Sequence, residues 1–207
     1  MKKQTKINAI ILAYASCAGS LAANIAKDCA HPMVGGYTGR ALLIPLTNTL
    51  TFAVDATNPR IITGITMGVG EKLAVIDNVW PIAMDGSNTK SNADGGRRKY
   101  TKTFAFRIPL RGAGTSKDIV EPLAESPLGF IAVLEKKDRV GDGSYEIVGY
   151  GQGLTVNPDG IERNDNENDG DIVVTMSCEE QFFEVTFFDT NYATTKAAFE
   201  ALMASAF

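Results

Sequence analysis

The sequence predicts a mainly β protein of the α+β type: an antiparallel β-sandwich or barrel with a short flanking helix and a C-terminal helix. Three observations predict this fold. Short apolar runs follow one another after Cys29 and are separated by glycine, threonine and asparagine, as in strands joined by tight turns. Residues 100–110 alternate apolar and polar side chains with the period of a strand. The last residues of the chain carry one apolar stripe with the period of a helix.

Eight or nine strands are expected, with candidates at residues 40–46, 50–54, 60–67, 72–79, 100–110, 128–134, 144–150, 171–178 and 182–188. In the 100–110 strand, Phe104, Phe106 and Ile108 share one face, and Thr101 and Thr103 share the other. The 128–134 run is continuously apolar, which predicts burial on both faces. The 182–188 strand is rich in phenylalanine, so we expect the C-terminal helix or a partner subunit to cover it.

Two helices interrupt the strands. One is expected at residues 118–125, where Asp118 and Glu121 have capping-box spacing. Pro122 removes a backbone donor there, so this helix is expected to be short or irregular. The other is expected at residues 195–206, with an apolar stripe that includes Phe199, Leu202 and Met203.

The 207 residues are divided here into an N-terminal Ala-rich helix or arm, residues 1–28, and a single β-rich domain with its C-terminal helix, residues 29–207. Residues 7–26 carry no charge, and Lys2, Lys3 and Lys6 precede them. That pattern allows two interpretations: an export signal cleaved before Ala23 or at Cys17, or a helix that packs on a neighbouring subunit.

Residues 85–99 are polar, contain no large apolar side chain and are expected to form a long loop that adds nothing to the core. Arg97, Arg98 and Lys99 form the basic cluster of the chain. We expect this loop to contact a neighbouring subunit. The candidate residues are Asp85, Asn88, Lys90, Asp94, Arg97, Arg98 and Lys99.

Residues 157–171 are acidic and rich in asparagine, and a second loop is expected here. Asp165, Glu167, Asp169 and Asp171 place carboxylates at alternate positions, which makes them a weak candidate for a calcium site. The position twelve along from Asp165 is Met176 rather than a bidentate glutamate, so the EF-hand pattern fails. A solvated acidic turn is the preferred interpretation.

Composition excludes several classes of function. The formal net charge is −4, whereas a general nucleic-acid binder carries a basic excess. One histidine and three cysteines are too few for a convincing zinc site or a disulfide framework. Residues 64–72 superficially suggest a phosphate loop, but such a loop needs a lysine directly after its second glycine. Here Glu71 lies between that glycine and Lys72, so a hairpin turn is predicted. No catalytic residue and no cofactor are therefore expected.

The run GFIAVLEKKDRVGDGSYEIVGYGQGL at residues 129–154 is followed by VTMSCEEQ and FFEVTFFD, and preceded by CAHP and ALLIPL. This order resembles virion structural proteins of phages that infect Bacteroidota, crAss-like phages among them, and is closest to their tail-tube-like and neck-ring components. The resemblance covers roughly residues 29–189 and rests on structural glycines and strand patterns.

The resemblance implies a non-enzymatic, tail-tube-like subunit that assembles into a homo-oligomeric ring or tube in the neck or tail of the virion. Other neck and tail proteins would be its partners. DNA would pass through the lumen without specific binding, to which an acidic chain is suited. No membrane is implied, and assembly would take place in the host cytoplasm. The alternative is an exported lipoprotein-like or adhesin-like β-sandwich that binds a ligand at the bacterial cell envelope.

Overall fold

Eleven strands form two β-sheets in the computed structural model, which describes residues 36–77, 84–94, 97–108, 112–139, 141–163, 170–180 and 184–206. For residues 84–94, 97–99 and 180 it describes the backbone path alone. The expected N-terminal arm, residues 1–28, lies outside these ranges. The strands are β1 (Tyr37–Pro45), β2 (Thr51–Val54), β3 (Ile61–Thr66), β4 (Ala74–Asp77), β5 (Met84–Asp94), β6 (Arg97–Ile108), β7 (Phe130–Lys136), β8 (Tyr145–Val148), β9 (Thr155–Arg163), β10 (Ile172–Glu180) and β11 (Val185–Phe187).

The large sheet has seven strands in the order β2-β3-β11-β8-β7-β1-β4. Its neighbours pair antiparallel except β11 and β3, which are parallel. The small sheet has four strands in the order β5-β6-β10-β9, all antiparallel. The predicted mainly β, sandwich-like fold with a C-terminal helix is confirmed.

The large sheet is covered on both faces, which explains its apolar central strands. One face packs on the small sheet through an inter-sheet core that includes Ala41, Leu43, Ala132, Leu134, Phe104, Phe106, Val174 and Met176. The other face packs on the C-terminal helix through a helix-side core that includes Leu42, Ile44, Ile131, Val133, Ile147, Phe187 and Phe199. Successive residues of β1 and β7 thus alternate between two cores, and the predicted double burial of the 128–134 run is confirmed from Phe130 to Leu134.

The helices are short apart from the last. The flanking helix comprises α1 (Ala113–Thr115), a π-helical turn (Ser116–Val120) and α2 (Glu121–Glu125). Its predicted irregularity is confirmed, because Pro122 cannot donate a backbone hydrogen bond at the start of α2. The predicted capping box is wrong: helical structure begins at Ala113, and Asp118 lies inside the π-helical turn. A 3-10 turn (Gly141–Ser144) precedes β8.

The C-terminal helix, α3 (Tyr192–Ala204), starts three residues before the predicted boundary. Asn191 caps it by accepting a hydrogen bond from the Thr194 backbone at 2.9 Å. Phe199 is fully buried, and Leu202 and Met203 pack beside it on the helix-side core. The helix therefore covers Phe187 of β11, as the sequence predicted.

A glycine corner, formed by Gly129, Gly149 and Gly153, closes one end of the large sheet. A Cβ atom on Gly153 would lie 2.1 Å from the Leu128 carbonyl oxygen, and the residue has a φ of +75°. The close approach lets Leu154 pair with Phe130 through two backbone hydrogen bonds, of 2.6 and 2.9 Å. These glycines carry part of the sequence resemblance, and their role in this structure is packing.

Two sequence predictions about strand connections are wrong. Residues 64–72 do not form a hairpin turn, because β3 pairs with β2 and β11 while β4 pairs with β1. Residues 157–163 are not loop but the larger part of β9, an edge strand with a register shift opposite Val174 and Met176. An edge strand needs few apolar residues, so composition alone did not reveal it.

Candidate functional site

The predicted inter-subunit loop is a β-hairpin. Asp85, Asn88, Lys90 and Asp94 lie on β5, and Arg97, Arg98 and Lys99 lie on β6. The two strands pair from Met84↔Phe106 to Asp94↔Arg97, which leaves only residues 95 and 96 between them. Both are glycines, the residues that two-residue hairpin turns favour. The loop prediction is therefore wrong, because it took the absence of large apolar side chains as the absence of a strand.

The hairpin runs past the end of the small sheet. Pairing of β6 with β10 stops at Tyr100↔Glu180, so residues 97–99 pair with β5 alone. Three cations, Arg97, Arg98 and Lys99, lie on this part of the ribbon, and Lys90 lies just inside the small sheet; we call these four residues the basic tip. By register, Lys90 lies opposite Thr101, and Lys99 opposite Asn92.

The opposite end of the small sheet carries charges of both signs. Glu162, near the end of β9, is exposed, and Asp171, just before β10, is half-buried. Arg163 follows Glu162 on β9, and Arg107 of β6 lies at the level of Glu162. Helix α2 contacts β9, and its Glu121 and Glu125 are exposed. Arg98 and Arg107 lie nine residues apart on β6, and Arg107 pairs with β10 at the level of Glu162. The rise of a strand over nine residues therefore puts the two ends of the small sheet about 30 Å apart.

The calcium candidate is only partly within the described residues. Asp165, Glu167 and Asp169 lie outside them, and Asp171 precedes β10. In the described ranges, no group of three or more histidine, cysteine, aspartate or glutamate residues is arranged to hold a metal ion.

Sequence reasoning missed an ionic cluster buried between the two sheets. Glu146 of β8 accepts a hydrogen bond from the Tyr37 hydroxyl at 2.6 Å. Its carboxylate also lies 3.8 Å from the Lys102 ammonium and 3.5 Å from that of Lys136. Lys102 comes from the small sheet and is only 2% exposed, so this ion pair joins the two sheets. Lys136 pairs in addition with Glu184, at the entry to β11.

The pKa of Lys136 reflects these partners. Burial acts to lower it, but the hydrogen bond to Glu184 and the attraction of both carboxylates outweigh burial and raise the pKa above 10.5. The ammonium form is therefore the stable one at neutral pH, and the lysine is no candidate for a base.

A second buried glutamate lies on the opposite face of the large sheet. Glu135 is 1% exposed and accepts hydrogen bonds from Thr38 at 2.8 Å and Tyr145 at 3.4 Å. Arg40 lies 3.6 Å from the same carboxylate, and its guanidinium lies 5.7 Å from the centre of the Phe199 ring. Burial, then the charge of Glu135, raises the pKa of Tyr145 above its ordinary value, which keeps that hydroxyl protonated. Charged residues inside otherwise apolar strands were the sequence signal for both clusters.

The described residues also line an apolar cleft of about 1380 Å³ at one edge of the sandwich. The edge strand β4, the end of β6 and the flanking helix form its walls, with Leu43, Ile76, Ile108, Ile119 and Leu123 among the lining residues. Lys72, Asp77, Lys117 and Asp118 add charges of both signs. Such a cleft suits an apolar group better than a strongly charged one.

Among the helices described, none has both the length and the apolar character needed to cross a bilayer. Comparison of the chain with protein-family models, with curated proteins and with solved structures finds no match.

Proposed function

We propose that this protein is a non-enzymatic phage virion structural subunit that assembles into a ring or tube of the neck or tail, around the DNA channel. The observation that carries the proposal is the long edge strand β5. It pairs with β6 over ten residue positions, and the described part of the chain provides no strand on its other side.

The two edges of the small sheet differ in how they are protected. Strand β9 contains Pro158 and a register shift, both of which discourage pairing with a further strand. Strand β5 has an irregularity only at its start, between Met84 and Gly86. A long regular edge exposes a monomeric protein to unwanted strand pairing. In a subunit of an assembly, a neighbouring copy can supply the missing strand.

The charge of the chain is consistent with the proposed location. At a net charge of −4, a lumen made from many copies would repel DNA phosphates, so DNA would slide through without specific binding. The partners in this proposal are further copies of the chain and other neck and tail proteins. Assembly takes place in the host cytoplasm, and the virion is the final location.

Light scattering after gel filtration, combined with negative-stain microscopy over a concentration series, tests the proposal. We expect a large homo-oligomer with a central opening. A matched variant lacking residues 91–94 and 97–100 joins the registered pair Lys90↔Thr101 through the native Gly-Gly turn, so the subunit should fold but assemble poorly. A wild-type protein that stays monomeric at every concentration contradicts the proposal.

The apolar cleft favours a second candidate function, an exported β-sandwich that binds an apolar ligand at the cell envelope. This alternative requires processing of the N-terminal segment before Ala23 or at Cys17. Mass spectrometry of the protein from its native source decides: a processed N-terminus supports the envelope protein, and an intact Met1 contradicts it.

A further inference from the structure

The apolar cleft runs along the open edge of strand β4. Residues 72–77 all line it. Ala74 and Ile76 pack on the inter-sheet core. Leu73 and Val75 pack on the opposite, helix-side core. Successive residues of a strand point to opposite faces, so a cleft that all of them line follows the edge of the strand. β4 is the last strand of the large sheet, and no described strand pairs with this edge.

The end of strand β6 borders the same cleft with a second open edge. Pairing of β5 with β6 reaches no further than Met84↔Phe106, and Phe106, Arg107 and Ile108 all line the cleft. The Nε atom of Arg107 is buried and has no hydrogen-bond partner within the described ranges. The cleft thus lies beside strand edges of both sheets that lack a strand partner, and beside a buried donor that lacks an acceptor.

We propose that an extended segment of another copy, taken from its uncharged residues 7–26, docks in this cleft and adds a strand to the edge of β4. This inference rests on the proposed function, because it specifies a contact between subunits. Strand addition pairs the backbone groups of an open edge, and apolar side chains of the added strand fill the cleft.

The cleft matches an uncharged, apolar peptide better than a small apolar molecule. Its walls include buried residues of the inter-sheet core such as Leu43, Ile108 and Leu123, so the cleft opens on that core. The charged residues that line it are three cations and three carboxylates, whose formal charges cancel: Lys72, Arg107, Lys117, Asp77, Asp118 and Glu125. A small molecule can cover the apolar walls, but only a peptide offers a row of amide and carbonyl groups to the strand edge.

The N-terminal residues provide a segment of the required composition. Residues 7–26 carry no charge and include the apolar run Ile10-Ile11-Leu12. Residues 27–35 join this segment to Gly36, and nine extended residues can span about 30 Å. Gly36 precedes β1, and the cleft lies at the other end of that strand, beside Pro45. The described chain therefore begins at the end of β1 remote from its own cleft, and the segment can meet the cleft of an adjacent copy without returning along β1.

Matched lysine substitutions in the full chain test the proposal. Ile76→Lys puts a charge in the cleft, Ile11→Lys puts one in the segment, and Val54→Lys puts one on β2, at the other edge of the large sheet. The first two should each raise the concentration for half-maximal association about tenfold or more, since docking would bury an unpaired charge. Val54 is already exposed, so Val54→Lys should associate like wild type. Light scattering measures association, and circular dichroism checks that each variant folds.

Two further measurements separate loss of this contact from loss of folding. An equimolar mixture of Ile76→Lys and Ile11→Lys should regain association that neither shows alone, because copies of the first keep an intact segment and copies of the second keep an intact cleft. Hydrogen exchange followed by mass spectrometry should show residues 74–77 less protected in Ile11→Lys than in wild type, because the added strand is lost.

The outcomes separate the inference from the proposed function. If wild type assembles and both Ile76→Lys and Ile11→Lys assemble equally well, the contact proposed here is wrong and the proposed function stands. If wild type is monomeric at every salt and protein concentration, both fail. If the mixture does not recover association, or residues 74–77 exchange alike in Ile11→Lys and wild type, the segment of another copy does not occupy the cleft and the inference is overturned. Loss in each variant with recovery on mixing establishes it.

Discussion

Each face of the large sheet buries a glutamate at the same end of the sheet, but the two glutamates have partners from different parts of the structure. Glu135 and Glu146 lie on neighbouring strands one register step apart, since Leu134 pairs with Glu146. On the small-sheet face, the Lys102 cation of Glu146 comes from the opposing sheet. On the helix face, the partners of Glu135 come from the large sheet itself, and helix α3 contributes an aromatic ring beneath Arg40.

The difference indicates what holds each layer in place. The small sheet is tied to the large sheet by a buried ion pair in addition to apolar packing, whereas helix α3 is held by apolar and aromatic side chains such as Phe199. Arg40 keeps 29% of its side chain exposed, so water can stabilise it when its partner is removed. Lys102 is too deeply buried for water to stabilise it in the same way. Loss of a partner should therefore change the free energy of unfolding differently at Glu146 and at Glu135.

The largest effect is expected from Lys102→Met, which keeps an unbranched side chain one atom shorter and removes the charge. Glu146 keeps Lys136 and Tyr37 but loses its fully buried cation, so the free energy of unfolding should fall by about 3 kcal/mol. Urea titration followed by circular dichroism measures the loss. The double variant Lys102→Met/Glu146→Gln should recover part of it, because the buried carboxylate that lost the Lys102 cation is then neutral as well, and Lys136 keeps Glu184. A loss below about 1 kcal/mol would show that the pair does not tie the sheets together.

A second experiment asks whether the other end of the large sheet depends on backbone shape rather than on charge. Gly153→Ala places a Cβ atom against the Leu128 carbonyl oxygen, while Gly151→Ala has the same kind of positive φ with open space around it. Both variants strain the backbone, but only the first also overlaps a neighbour, so it should be less stable by about 1–3 kcal/mol more. Equal losses in thermal unfolding would refute the packing role of the glycine corner.

A smaller effect is expected from Glu135→Gln. Thr38 and Tyr145 donate to different carboxylate oxygens, so the amide oxygen can still accept one of these hydrogen bonds, and Arg40 can turn towards water. The free energy of unfolding should therefore fall by about 1 kcal/mol, the value of a typical hydrogen-bond change rather than that of a broken buried pair. The same urea titration compares it directly with Lys102→Met, and a loss as large as that of Lys102→Met would remove the distinction between the two faces.

The smallest effect is expected in alkali. Folding raises the pKa of Lys136 above 10.5 and that of Tyr145 above 10.0, so both groups bind protons more tightly in the folded state. The unfolded chain loses these protons first, and stability should decline as the pH rises above about 10. Thermal unfolding across pH 8–11 measures the slope. Tyr145→Phe should flatten it in part, and an unchanged slope in that variant would exclude Tyr145 as a contributor.

Sequence reasoning recovered the strands that carry apolar side chains, because apolar periodicity reports burial. Strands β1, β7 and β10 all lie where apolar runs predicted them, and Phe199 and Leu202 correctly indicated the buried stripe of α3. Strands β5 and β9, the two edges of the small sheet, were missed, since an edge strand can be built from polar residues. The Gly-Gly pair after Asp94 was the available signal for the first of them.

The sequence identified residues of the candidate contact surface but not their arrangement in space. Lys90, Arg97 and Lys99 were identified as a contact surface, and the prediction that they meet another subunit remains a prediction. Their separation from Glu162 depends on the strand register, which local patterns do not specify when the strands are polar. The pairing of Lys102 with Glu146 joins positions distant along the chain, so only the packed sheets reveal it.

The two-residue connection between Asp94 and Arg97 constrains how this region can change in length. Because these two residues pair, inserting a single residue in either arm would move every following position to the reverse side of the ribbon. The register that sets Lys90 opposite Thr101 would then be lost although composition stayed almost the same. Natural variants of this hairpin should therefore differ in length by matched additions to both arms, and isolated insertions should be rare.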